Sequence, residues 1–161
     1  DDKDTFNNIL SALNKIAKDL TLIFPIHPRT KSKIHEFNFK SYFNFDYIKP
    51  SGINLIDPLS YNEMLNLTTN AKLVLTDSGG LQEETTSIKT PCITIRENTE
   101  RPVTITHGTN HLVGTDPKKI LHAYQEIINN QDKKYAIPKY WDGKASQRIV
   151  NHLTEYFNLL T

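Results

Sequence analysis

The chain has 161 residues, which suits one domain with a sizeable core and is short for two. Apolar residues make up 37% and charged residues 23%, and 19 Lys+Arg against 18 Asp+Glu leave a net charge of +1, so neither a disordered chain nor a dedicated nucleic-acid-binding surface is indicated. Mean hydropathy is -0.50, and the longest apolar stretch, Leu20 to Ile26, is interrupted by Thr21 and Pro25, far from the roughly 20 apolar residues of a membrane span.

The opening Asp1-Asp2-Lys3-Asp4 has neither the basic nor the apolar region of a signal peptide, and the expected compartment is the cytoplasm. Phe6, Ile9, Leu10, Leu13, Ile16, Ala17 and Leu20 then recur at helical spacing and predict an amphipathic helix. Leu20 to Ile26 reads as a short buried strand, closed by Pro25 and Pro28. Ile34 and Phe37 suit a short helix inside the aromatic, basic stretch from Thr30 to Tyr47. Ile53 to Ile56 is the second strand. Ser60-Tyr61-Asn62-Glu63 matches a capping box, opening a helix that carries Met64, Leu65 and Leu67 and ends at Asn70.

Lys72 to Thr76 is the third strand, and Asp77-Ser78-Gly79-Gly80 is the turn into a helix from Leu81 to Ser87. Pro91 to Ile95 and His111 to Val113 are the fourth and fifth strands. The lone cysteine, Cys92, sits in the apolar fourth strand and reads as a buried structural thiol. Asp116-Pro117 caps a helix that buries Ile120, Leu121, Tyr124, Ile127 and Ile128. A polar connector, Asn129 to Gly143, leads to a last helix with Ile149, Val150, Leu153, Tyr156 and Phe157 on one face. Short apolar strands alternating with amphipathic helices predict an α/β domain, a parallel sheet with helices on both faces. Ligands of such sheets sit beyond the carboxyl ends of the strands, which selects the loops after Ile26, Thr76 and Ile95.

The loop after Thr76 carries the strongest signal. Gly79 and Gly80 let a ligand approach the backbone, Ser78 adds a hydroxyl, and a helix N-terminus favours an anion such as a diphosphate. Glu84, one turn in, can accept hydrogen bonds from ribose hydroxyls. A glycine pair also serves simply as a tight strand-to-helix turn, so residue types alone leave both readings open. No Gly-Lys-Ser/Thr sequence occurs, which disfavours ATP-type phosphoryl transfer. The loop after Ile95, Arg96 to Pro102, places Arg101 for a phosphate, held by Glu100, or else is a surface ion-pair loop. His27-Pro28-Arg29 offers a histidine at a strand end, either as a phosphate contact or as a structural hydrogen-bonding group. His107 and His111 are four apart, but Gly108 and Thr109 argue against a helix there, and no metal site or cofactor is expected. No Ser/His/Asp set or paired carboxylates stand out.

Taken together, these segments resemble the non-hydrolysing UDP-N-acetylglucosamine 2-epimerases. The resemblance rests on Asp77 to Glu84, Pro91-Cys92, Arg96 to Pro102, Gly108-Thr109-Asn110 and Leu112-Val113-Gly114. Phe24 to Thr30 and Asp57 to Tyr61 occur in the same order. It implies the C-terminal, Rossmann-like half of a two-domain glycosyltransferase-B arrangement, with residues 1–161 as one UDP-binding domain and the N-terminal domain absent. It assigns Ser78, Gly79 and Gly80 to the diphosphate, Glu84 to the ribose, Arg101 to the phosphate side, and Leu59 and Met64 to the uracil, where the family usually has Phe in place of Met64. His27 matches a contact to a second, regulatory UDP-sugar. The resemblance places the catalytic His and carboxylates outside this stretch, so no catalytic residue is expected in it.

The implied whole protein is a cytoplasmic homodimer that interconverts UDP-N-acetylglucosamine and UDP-N-acetylmannosamine by eliminating and re-adding UDP, for cell-surface polysaccharide synthesis. A stand-alone nucleotide-sugar-binding module or a glycosyltransferase-like C-terminal domain is the alternative. In the family a central strand precedes the point where this sequence opens, so a gap or a rearranged partner is expected beside Leu20–Ile26.

Overall fold

The computed structural model describes residues 2–130 and 135–158. Asp2 opens the first helix, its carboxylate accepting the Thr5 N–H at 2.7 Å. The helix that follows, α1 (Lys3–Ile16), has an apolar stripe wide enough for two cores. Leu10 and Leu13 join Ile26, Ile34, Phe39, Phe43, Ile53 and Leu55 in the first. Ala12 and Ile16 join Ile93, Ile120, Ala123, Tyr124 and Ile127 in the second. Ile9 and Leu75 pack against both, so the two cores meet beneath α1.

Each core belongs to its own three-stranded parallel sheet. In the first, β1 (Leu22–Pro25) pairs with β3 (Ile53–Ile56), which pairs in turn with the two-residue β2 (Phe43–Asn44). In the second, β4 (Val74–Thr76) pairs with β5 (Cys92–Thr94), and β5 with β6 (Asn110–Leu112). β1 and β4 each keep one edge that no described strand pairs with. Beside the Leu20–Ile26 segment, β1 is thus an edge strand among the described residues.

Between strands the chain returns through α2 (Pro28–Glu36), α3 (Tyr61–Thr69), α4 (Gly79–Ile88) and α5 (Pro102–Thr106), and α6 (Pro117–Asn129) follows β6. The alternation of a strand explains why the faces of the second sheet differ. Ile93 points into the apolar core under α1 and α6, while its neighbours Cys92 and Thr94 turn the other way, toward α4. Buried threonines line that second face: Thr85 and Thr86 from α4, Thr94, Thr104 and Thr109. In the first sheet, buried Asn54 shapes the connection between β2 and β3 by accepting the Lys49 N–H at 2.7 Å and donating to the Lys49 and Leu22 carbonyls.

β3 matches its predicted run, β6 is shifted by one residue, and β1, β4 and β5 are shorter than the runs that predicted them, though flanking residues still bond across, as Val74 does to the Pro91 carbonyl. Both capping signals hold: Ser60 and Glu63 form the reciprocal box, and Asp116 accepts from Lys118 with Pro117 in the first turn. The elements that periodicity missed are small, namely β2, a single 3-10 turn at Lys40–Tyr42, and α5, which the Pro102 start signal could have marked. The last helix, α7 (Ala145–Asn158), is present, but Ile149, Val150, Leu153, Tyr156 and Phe157 remain exposed and belong to neither core. Of the irregular connector, residues 131–134 lie outside the described residues. No described helix is long and apolar enough to cross a membrane.

Candidate functional site

The glycine pair lies within the first turn of α4 rather than before it, and Ser78 is the cap. The Ser78 N–H donates to Thr76 Oγ1 at 3.0 Å, and Ser78 Oγ accepts the Leu81 N–H at a long 3.5 Å. The hydroxyl's own proton is not used by that bond. The N–H groups of Gly79 and Gly80 stand in the first turn, where no intrahelical acceptor exists.

Why glycine stands at both positions can be tested on the backbone and on the packing. Left-handed φ angles occur at Gly52, Gly114 and Gly143, and neither Gly79 nor Gly80 is among them. A Cβ added at Gly79 would meet nothing within 4 Å, and one at Gly80 would meet Ser78 Oγ at 3.8 Å and nothing nearer. A tight turn that required glycine would show one of these constraints. Here the protein itself requires neither glycine, and the space they leave is open.

Arg101 follows β5 at the start of α5 and is brought beside α4. Its Nε lies 2.9 Å from Glu83 Oε1 with both side chains partly exposed, while Nη1 donates to the Glu100 carbonyl at 3.3 Å. The expectation that the Glu100 carboxylate holds Arg101 is corrected: Glu83 does, and Glu100 contributes its backbone. A residue's sequence neighbour points elsewhere along a loop, whereas the facing helix presents a carboxylate. The Nε–H is not aligned with the Glu83 oxygen, so this is an ion pair more than a directed hydrogen bond. Within the same loop, exposed Glu97 reaches across to the next connection, its Oε1 accepting the Thr115 N–H at 3.2 Å against the left-handed Gly114, where a Cβ would come within 2.4 Å of it. Glu97 therefore shapes the loop, and Arg101 is left partly open to solvent.

Glu84 is half-buried one turn further along α4. Leu59 and Met64, both half-buried, flank the start of α3, where the capping box holds the Glu63 carboxyl below its usual range through bonds from the Ser60 hydroxyl and N–H. α3 packs on α4, and Thr90 Oγ1 donates to the Thr68 carbonyl at 3.0 Å, so this segment is fixed to the second sheet. His27 stands apart, on the first sheet. It is exposed and caps α2, with Nδ1 accepting the Arg29 N–H at 3.3 Å. No described hydrogen bond or ion pair links it to Ser78 or Arg101. Cys92 is fully buried, and burial pushes its thiol up to about 11, so it is no nucleophile.

A hollow of about 730 Å³ runs along β6 and α6, lined among others by Ile105, Gly108, Lys118 and His122. It shares no residue with the glycine turn or the loop to Arg101. The chemistry favours the open turn over the hollow: it offers first-turn N–H groups and a hydroxyl, and Arg101 is paired with Glu83 further along the same helix.

A family model described as UDP-N-acetylglucosamine 2-epimerase matches residues 1–154. The chain belongs to that family. It is similar to the UDP-N-acetylglucosamine 2-epimerase of Methanocaldococcus jannaschii, 44% identical over 157 residues, covering 96% of this chain and 41% of the relative. The solved structure of that enzyme aligns with a TM-score of 0.81 at 43% identity, over 96% of this chain and 42% of that one. A second structure of the archaeal enzyme, in complex with UDP-GlcNAc and UDP, aligns with a TM-score of 0.78 at 41% identity, over 96% and 41%. The fold is thus Rossmann-like α/β, aligned with part of enzymes that have a glycosyltransferase-B-like fold. The chain spans about two fifths of the length of the relatives it matches.

Proposed function

We propose that this chain is the UDP-binding half of a two-domain enzyme that interconverts UDP-N-acetylglucosamine and UDP-N-acetylmannosamine. The observation that carries the reading is the open, unconstrained glycine pair at the start of α4, beside Arg101. The Gly79 and Gly80 N–H groups, the Ser78 hydroxyl and the positive end of the helix receive the diphosphate, and Arg101 adds a full charge. Glu84 receives the ribose, and Leu59 and Met64 receive the uracil.

In the proposed reaction a base outside this stretch removes the proton at sugar carbon 2, the bond from carbon 1 to the diphosphate breaks, and UDP leaves with the electron pair. Charge then builds on the diphosphate oxygens, where these donors are already in place. Re-addition of UDP after protonation on the opposite face gives the epimer. The reading carries with it an N-terminal domain to complete the cleft, the regulatory role of His27, and a cytoplasmic homodimer.

Gly79→Ala in the full-length enzyme tests it. At a helical φ the substitution stabilises a fold by about 0.4–1 kcal/mol. Calorimetry is expected to show weaker UDP binding all the same, because the Cβ enters the diphosphate space. Unchanged UDP affinity in Gly79→Ala and in Ser78→Ala would overturn the phosphate assignment.

A further inference from the structure

The side chain of Gln82 is completely buried, yet it is an amide among threonines rather than an apolar group. Its Oε1 accepts the Thr99 hydroxyl at 2.6 Å and an Asn110 amide proton at 3.2 Å. The other Asn110 amide proton goes to Thr104 Oγ1 at 3.0 Å, and Asn110 Oδ1 accepts the Thr94 hydroxyl at 2.6 Å. Thr99 and Thr104 are the ends of this network, and both grip the same residue. The Arg101 N–H donates to Thr99 Oγ1 at 3.0 Å, and the Thr104 hydroxyl donates to the Arg101 carbonyl at 2.7 Å.

Arg101 needs such a hold. Its backbone, at φ -123 and ψ 57, is neither helix nor strand, and it starts α5 without a side-chain cap of its own. Its N–H is thus held by one hydroxyl and its carbonyl by another together with the Thr104 N–H at 3.0 Å, and each hydroxyl is oriented by the Gln82–Asn110 pair. Gln82 lies one turn from Gly79 and Gly80 on α4, so helix start and arginine are referenced to a single side chain. The cost of the arrangement is visible too: Gln82 Nε2 is buried with no hydrogen-bond partner among the described residues. A leucine or methionine would fill the same volume without that orphan donor, so packing alone does not account for the amide.

We propose that Gln82, acting with Asn110 through Thr99 and Thr104, is a positioning residue that sets Arg101 against the glycine turn. The proposal rests on the reading of Arg101 as a phosphate ligand. The test is a thermodynamic cycle in the full-length enzyme, with UDP affinity measured by calorimetry. Gln82→Met is expected to raise the UDP Kd about tenfold in the parent enzyme and less than about twofold in an Arg101→Ala background. A merely structural glutamine would give effects that multiply, and that result overturns the proposal. Because Gln82→Met perturbs a buried site, Thr99→Val and Thr99→Ser provide a second route. Val is expected to reproduce the loss and Ser, which keeps the hydroxyl, to restore binding. Equal affinity in both Thr99 variants overturns the proposal as well. A silent Arg101→Ala would overturn the phosphate reading itself and this proposal with it, whereas multiplying effects overturn the positioning role alone.

Discussion

The two sheets are built on the same parallel plan but are filled differently. Around the first, Phe6, Phe37, Phe39 and Tyr42 stack edge to face and Ile53 is wholly buried, so shape and apolar area hold most of it together, with Asn54 the buried polar exception on β3. Around the second, the α1 and α6 face is equally apolar, but the α4 face is occupied by threonines, Gln82 and Asn110, all hydrogen-bonded to one another or to backbone. Apolar packing tolerates small displacements, because contact is non-directional. A network of directional hydrogen bonds does not. The face that carries the glycine turn and Arg101 is the one built with directional bonds. Stability and placement are thus assigned to different surfaces of one small domain.

The largest effects that sharpen this contrast are in the cores. Ile53→Ala and Ile93→Ala are each expected to lower stability by about 2–5 kcal/mol in urea unfolding, with UDP affinity of the folded fraction preserved. A loss of affinity at 25 °C without a loss of stability would break the division. Next comes Arg101→Ala, expected to weaken UDP binding by about 1.5–3 kcal/mol while moving the unfolding midpoint little, since its ion pair with Glu83 is partly exposed. Glu100→Ala is expected to leave UDP affinity unchanged, because that carboxylate does not hold the arginine. An equal loss in Glu100→Ala would return the loop to the sequence-based expectation.

The smallest effect is in pH. The Glu63 carboxyl is held below its ordinary value by Ser60, so its contribution is present above the unfolded-state value and is lost as pH falls through the lower folded-state value. Ser60→Ala is expected to flatten the acid limb of a stability–pH curve and to leave the neutral limb parallel to the parent. An unchanged acid limb would mean that the capping box is not what holds this carboxylate down.

Much of this was legible in the residues, for local reasons. Ser60 with Glu63 and Asp116 with Pro117 specify helix starts within a few positions, and Ile53 to Ile56 is a strand by composition alone. The proposed site was legible as far as Ser78, Gly79, Gly80 and Arg101, because a strand, a glycine pair and a helix start coincide. What lay out of reach was anything decided across the fold. Gln82, Glu83 and Glu84 are adjacent in sequence and similar in size, and the direction each takes from α4 decides what it meets. One is buried in the network, one meets Arg101, and one stands half-open. β2 is too short to carry a period, and the apolar stripe of α7 predicted the helix but not its exposure.

The course of α1 also bears on how a disturbance spreads through the molecule. Leu10 and Leu13 belong to the first core and Ala12 and Ile16 to the second, with Ile9 against both, so one rigid rod forms a wall of each. A helix shifts as a unit, because its turns are tied by one ladder of peptide hydrogen bonds. A displacement of α1 is therefore felt at once beside β1, which leads to His27, and beside β5, which leads to Arg101.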